Sequence, residues 1–387
     1  MMKQAVIVAC GRSAFGKIRG ALRDTRPEDL CAQVVEGVLN QVPFDIRGEI
    51  EDFVLGCAYP EGQQGANMAR NVAGLAKLPI SVAGQTLNRY CSSGLQSIAA
   101  AANAIMAGQQ KIVLAGGVES MSTIPMGGAR NLPNPDLLEQ HPEYYISMGL
   151  TAENVADKYQ ITRERMDAFA LASHQKAKAA WDAGKLAEEI VPVNAVRYGG
   201  HGPERVRFDT DQGIRPATTL ASLARLRPVF KQGGTVTAGN SSQMTDGAAA
   251  VLLMELETAR RLGLTPIARF VSFAVAGVEP ELMGIGPVKA IPKALSLAGI
   301  TADMVDRIEL NEAFAAQALA CMDVLELDPN KVNVNGGAIA MGHPLGCTGS
   351  ALTVRLLREL WRQGKRYGLV SMCIGGGQGA AGVFERI

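Results

Sequence analysis

The 387-residue sequence predicts an α/β fold built on a duplicated unit. Three observations carry the prediction. Short apolar runs bounded by glycine alternate with segments of helical periodicity, the pattern of strands layered with helices. The same order of elements recurs in the two ends of the chain. Glycine is abundant, 43 residues or about 11% against a usual ~7%, and it favours tight turns and close backbone approach. Hydrophobic residues at 47% and charged residues at 19% supply large cores and exclude disorder.

The elements follow in order. Ala5–Ala9 is an apolar run behind Met1-Met2-Lys3-Gln4, too short for a signal-peptide core, and reads as the first strand. Glu28–Leu39 reads as a helix because Pro27 sits just inside its start and Glu28 and Asp29 occupy the first turn. Phe53–Gly56 is the next strand, Gly94–Ala107 the next helix and Lys111–Gly116 the strand it leads to. Residues 121 to about 243 differ in kind, with proline turns, a charged helix over Arg163–Ala183 and basic side chains at Arg205, Arg207 and Arg215. A stretch of that length without structure is uncommon in a domain, so it reads as an insertion with helices of its own. Strand Ala248–Met254, helix Pro287–Ala298, strand Ile308–Leu310, helix Gly349–Gln363 and strands Leu369–Met372 and Ala381–Phe384 complete the chain.

The recurrence is legible in pairs. Cys91-Ser92-Ser93-Gly94 opens one helix and Cys347-Thr348-Gly349 another, each leading to a strand. Gly247-Ala248-Ala249-Ala250-Val251 closes one unit and Gly379-Ala380-Ala381-Gly382-Val383 the other. The expected division is 1–120 plus 244–266, an inserted 121–243, and 267–387.

Several function classes are excluded. Thirty-eight basic against 37 acidic side chains leave a net charge of +1, with no electrostatic footprint for nucleic acid or anionic membrane. The charge-free stretches Tyr90–Gln110 and Val332–Val354 are broken by polar residues, glycine and proline, and read as buried helix and loop rather than membrane spans. Seven widely spaced cysteines without a Cys-x-x-Cys argue against a disulfide framework, a zinc ribbon or a thioredoxin-type site. The terminal Glu385-Arg386-Ile387 is not a peroxisomal address, and a cytoplasmic location is expected.

Four glycine-flanked clusters carry chemistry. In Asn88-Arg89-Tyr90-Cys91-Ser92-Ser93-Gly94 a cysteine stands where a helix begins, and the positive dipole end and free N–H groups there favour a thiolate. Cys91 is a nucleophile or a packed helix-start residue. Asn335 to Gly346 places His343, one of four histidines, in the most glycine-dense apolar segment. It is a structural hydrogen-bonder or the base that activates a cysteine. A zinc role is disfavoured because no second ligand stands at suitable spacing. Cys373-Ile374-Gly375-Gly376-Gly377-Gln378-Gly379 lacks the Lys-Ser/Thr of a phosphate loop, and reads as an acid/base cysteine beside oxyanion donors. Asn311-Glu312-Ala313-Phe314-Ala315 offers a helix cap or a water-holding amide.

Together with Thr237-Ala238-Gly239-Asn240-Ser241-Ser242 and Asp246-Gly247-Ala248-Ala249-Ala250, these clusters stand in the order found in thiolases, and the chain closely resembles that family over nearly its whole length. The resemblance implies the thiolase fold, two duplicated βαβαβαββ halves in a five-layered αβαβα sandwich, with the insertion as a coenzyme A-binding loop domain. It implies Cys91 as acyl-thioester nucleophile, His343 as its activator and an oxyanion donor, and Cys373 as acid/base. Asn311 would hold a water of the oxyanion hole and Gly375 would supply a backbone N–H to a second one. Arg215, Ser242, Ala238, Met148, Ala313 and Phe314 would contact substrate.

No tightly bound cofactor or metal is implied. Acyl-CoA and CoA are the partners, with a homodimer or homotetramer and association with a β-oxidation hydratase/dehydrogenase subunit. Ser147, where short-chain members commonly carry histidine, favours thiolytic cleavage of 3-ketoacyl-CoA in β-oxidation over the alternative, acetyl-CoA C-acetyltransferase. A non-catalytic thiolase-like lipid binder would be expected to lose Cys91 or His343, a ketoacyl synthase would not need Cys373, and a cysteine hydrolase would not explain a second cysteine.

Overall fold

The computed structural model describes residues 3–130, 132–200 and 202–387; Met1 and Met2 of the terminal reading, Asn131 and His201 lie outside the described residues. The first half runs β1 (Ala5–Arg12), β2 (Gly16–Lys17), α1 (Pro27–Leu39), β3 (Asp52–Gly56), α2 (Met68–Leu75), β4 (Ala83–Leu87), α3 (Ser93–Met106) and β5 (Ile112–Ser120). The segment between the halves holds α4 (Pro135–Gln140), α5 (Met148–Lys158), α6 (Arg163–Asp182), the hairpin β6 (Val193–Gly199) and β7 (Gly202–Phe208), and α7 (Leu220–Ala224). Then come β8 (Thr245–Glu255), α8 (Leu256–Arg261), β9 (Ala268–Gly277), α9 (Gly286–Ala298), β10 (Arg307–Leu310), α10 (Ala315–Val324), α11 (Ala338–Met341), α12 (Leu345–Arg362), β11 (Tyr367–Ile374) and β12 (Gln378–Glu385).

The strands order as β4-β3-β5-β8-β1 on one side and β9-β12-β11-β10 on the other. Among the described residues the two sets pair only through β1 and β9, at Val6–Arg269 and Ile7–Ala268. Each half repeats one topology: β3 and β5 are parallel as β10 and β11 are, while β8 and β12 run antiparallel between their neighbours. The counterpart of β4 shrinks in the second half to a single parallel bridge from Ile308 to Val332. This is the thiolase fold that the motifs imply.

Helices α3 and α12 pack on each other between the two sets of strands, α1 and α2 cover one outer face, and α9 covers the other. Three apolar cores fill the interfaces. Central strands buried on both faces read as continuous apolar runs, and β8, apolar from Gly247 to Met254, is buried along nearly its whole length. That is why the sequence showed it plainly. Strand β9 alternates buried and half-buried positions, and Arg269 and Ser272 break its apolar run. Strand β4, Ala-Gly-Gln-Thr-Leu, lies at the sheet edge and has almost no apolar signal. No described helix is long and apolar enough to cross a membrane.

Candidate active site

Strand β4 delivers the first cluster. After Leu87, Asn88 Oδ1 accepts the Tyr90 N–H at 2.7 Å while its Nδ2 donates to Ala58 O at 2.9 Å. Tyr90 is held at φ +42°, a conformation that costs a non-glycine residue on the order of 1 kcal/mol or more. Cys91 follows in a single 3₁₀ turn ahead of α3, half-buried. Gly94 lets this end of α3 touch α12, since a Cβ there would lie 2.8 Å from both Gly346 O and Ser350 N. The close crossing brings the Cys91 turn beside the start of α12, where His343 stands.

One expectation needs correction. The helix start was expected to favour a thiolate at Cys91. Burial instead pushes its thiol up to about 11, although the N–H groups of Gly375 and of Cys91 itself draw it down. Desolvation wins here over backbone donors. So placed, the sulfur rests as a thiol near pH 7.

His343 is held in one tautomer. Its Nδ1 lies 2.6 Å from Thr348 Oγ1, and that hydroxyl in turn donates to Pro344 O at 3.0 Å. Thr348 therefore accepts from Nδ1–H, which leaves Nε2 as the lone-pair nitrogen, 3.3 Å from Asn311 Nδ2. Burial draws the imidazole pKa down to about 4, so it is neutral near pH 7. The ring is buried and its backbone N–H donates to Gln243 O at 3.0 Å. Gly342, just before it, has φ +114°, and a Cβ there would run into Thr245.

Asn311 follows β10, with its N–H on Ser371 O at 2.9 Å. Its Oδ1 is buried and accepts no hydrogen bond from the described residues. Glu312 beside it has a different task, accepting from Ser173 Oγ at 2.6 Å, Asn333 Nδ2 at 2.9 Å and the Ile339 N–H at 3.2 Å. It ties α6 to the glycine-rich segment before His343. Cys373 lies buried near the end of β11, its thiol pushed well above the usual range by burial and then by the Cys91 sulfur. Gly375 follows in the turn to β12.

One cavity of about 530 Å³ gathers Cys91, His343, Cys373 and Gly375 with Met148, Ser242, Ala313 and Phe314. Asn311 stands behind His343 rather than on the wall. Two family models match the chain, the thiolase N-terminal domain over residues 5–257 and the thiolase C-terminal domain over residues 264–386. The chain belongs to the thiolase family. As a thiolase it is an acyltransferase. A 3-ketoacyl-CoA thiolase of Bacillus subtilis (strain 168) is 55% identical over 390 residues, covering 99% of this chain and 100% of its own. The peroxisomal 3-ketoacyl-CoA thiolase of Homo sapiens is 48% identical, over 98% of this chain and 90% of its own. The crystal structure of the Bacillus anthracis acetyl-CoA acetyltransferase superposes with a TM-score of 0.91 at 40% identity, over 100% of this chain and 99% of that one.

Two of the remaining positions expected at the thiolase site lie off the cavity. Arg215 is exposed beside a second cavity of about 230 Å³, with His174 and Lys178, and donates to Gln243 Oε1 at 3.3 Å. Ala238 is exposed and lines neither cavity. The wall also includes Tyr90 of the first cluster, and Tyr59, Met126, Arg130 and Tyr145, which sequence reasoning missed. Met126, Arg130 and Tyr145 lie in aperiodic chain, where the adjacent Tyr144-Tyr145 pair was the one available signal.

Proposed function

We propose that the chain cleaves a 3-ketoacyl-CoA with CoA, giving acyl-CoA and acetyl-CoA through an acyl thioester on Cys91. The gathering of Cys91, His343, Cys373 and Gly375 on one cavity carries this reading. His343 Nε2 takes the Cys91 proton as the sulfur attacks the 3-keto carbon. The C2–C3 bond breaks, its electron pair passes into an acetyl-CoA enolate, and Cys373 gives that carbanion its proton. Cys373, now a thiolate, takes the proton of the incoming CoA thiol. The CoA sulfur displaces the acyl group, and His343 returns its proton to Cys91. Two thiols are required because one carries the acyl group while the other moves the proton.

The developing negative charges need donors already in place. The Gly375 N–H, which already draws down the Cys91 pKa, suits the acyl oxygen with the N–H of Cys91. A water on the unpaired Asn311 Oδ1 suits the thioester oxygen, together with His343 once it is protonated. One such donor is worth ~3 kcal/mol. In this reading Ser242, Met148, Ala313 and Phe314 border the pantetheine, and Arg215 and Ala238 lie farther out toward the nucleotide. The sheet ends at β4, an edge that a second copy could extend, which supports a homo-oligomer.

The name of the Bacillus anthracis neighbour favours a second reading, acetyl-group transfer between two acetyl-CoA molecules. Thiolysis of 3-ketoacyl-CoAs from C4 to C16 separates the two. Retained kcat/KM at medium and long chains is expected, with equal amounts of acyl-CoA and acetyl-CoA that depend on added CoA. Turnover confined to C4 selects the second reading, and CoA-independent release of free acid contradicts both.

A further inference from the structure

Glu119 is a carboxylate in the core, 1% exposed, near the end of β5. Its nitrogen partners are all donors. Oε2 accepts the N–H of Ala58 and of Gly346, both at 2.8 Å, and Oε1 accepts Gln64 Nε2 at 2.8 Å and the Tyr59 N–H at 3.3 Å. Cys57 Sγ lies 3.9 Å from Oε1. An ionised carboxylate matches that set and an amide does not.

Two routes lead from it toward the reacting groups, one through hydrogen bonds and one along the chain. Ala58 accepts from Asn88 Nδ2 at 2.9 Å, and Asn88 Oδ1 holds the strained Tyr90 N–H at 2.7 Å, one residue before Cys91. Gly346 lies in the first turn of α12, three residues after His343. The duplication supplies an independent pointer. In the first half Glu119 pairs with Gly247, the residue that opens Gly-Ala-Ala in β8. In the second half Cys373 pairs with Gly379, which opens the same Gly-Ala-Ala in β12. Glu119 therefore occupies the place in its half that Cys373 occupies in the other.

We propose that Glu119 is a positioning residue for the Cys91–His343 pair, its carboxylate tying the turn that presents the thiol to the turn that presents the imidazole. This rests on Cys91 being the nucleophile. A misplacement near 1 Å costs on the order of 10²-fold in rate, so the nearly isosteric Glu119→Gln should slow acylation of Cys91 by about 10- to 100-fold with KM for the 3-ketoacyl-CoA unchanged. Asn88→Asp, which keeps the acceptor for Tyr90 and loses the donor to Ala58, should do the same. The double variant should be no slower than Glu119→Gln, because an amide facing the Tyr59 N–H and Gln64, like the loss of the Asn88 donor, loosens the same Ala58–Tyr59 turn. The measurement is the rate of adduct formation on Cys91 per folded molecule, by rapid quench and mass spectrometry. Wild-type acylation rates in either folded variant, or losses that multiply in the double variant, overturn the proposal. If Glu119→Gln does not fold, Asn88→Asp alone decides, and its normal acylation overturns it. A purely structural Glu119 would lower the melting temperature and yield without changing that rate. Failure of the thiolase reading itself would look different, since the wild type would then show no adduct on Cys91.

Discussion

The two halves share one strand order and put different chemistry in equivalent places. In the first half the strand at the sheet edge, β4, leads through a strained turn to Cys91 and then α3. In the second half the same route starts from the lone Val332 bridge and leads through Gly336 and Gly337 to His343 and then α12. Near the ends of the central strands, Glu119 faces Gly247 where Cys373 faces Gly379. Because α3 and α12 cross at their glycine-lined starts, both unequal loops reach one cavity. Duplication supplied two copies of each position. Divergence made one pair a thiol and an imidazole, and the other a buried carboxylate and a second thiol.

The comparison breaks first at the sulfurs. Cys91→Ala should lose on the order of 10³-fold or more in kcat, with all acylation gone. Cys373→Ala should still form the adduct, slowly, and lose exchange of the acetyl-CoA α-protons with solvent, read by NMR in deuterated water. Normal exchange in that variant would remove the acid/base role. Next comes Asn311→Ala, which leaves His343 in place and removes one oxyanion partner. It should cost about 10²- to 10³-fold in kcat, measured by thiolysis at saturating substrate.

A pH profile sharpens the contrast between thiol and base. His343 is held below its ordinary 6.5, at about 4. A lowered histidine pKa means that the folded enzyme refuses a proton which the unfolded chain accepts between those values. Stability therefore falls as pH drops from 6.5 toward 4, and the acid limb of kcat/KM should titrate near 4. An acid limb near 6.5 would show a solvated imidazole. The smallest expected effect is structural. Gly346→Ala places a Cβ 2.8 Å from the Ala58 nitrogen and Glu119 Oε2, and such overpacking costs about 1–3 kcal/mol. It should appear as a lower melting temperature with a smaller loss of rate than Asn311→Ala.

Legibility in the sequence followed the same division. Strands buried on both faces announced themselves as apolar runs, and the loops around Cys91, His343 and Cys373 stood out because glycine and rare residue types coincide there. Strand β4 and the Tyr59, Met126 and Tyr145 side of the cavity did not, because edge strands and loops carry no periodic signal. Glu119 left a trace, a lone acid in Ala-Gly-Gly-Val-Glu-Ser, but three of its four nitrogen partners are backbone N–H groups, and those are invisible until the chain is folded. The glycine excess also changes meaning. At Gly94 and Gly349 it serves the contact between α3 and α12, and at Gly346 the approach of α12 to Ala58 and Glu119, rather than the approach of substrate.

The central claim is that Cys91 carries the acyl group. Enzyme mixed with a 3-ketoacyl-CoA in the absence of CoA, quenched in acid, digested and read by mass spectrometry should show the acyl mass on the peptide containing Cys91 and release it when CoA is added. The acyl mass on the Cys373 peptide alone, or on neither, would contradict the account.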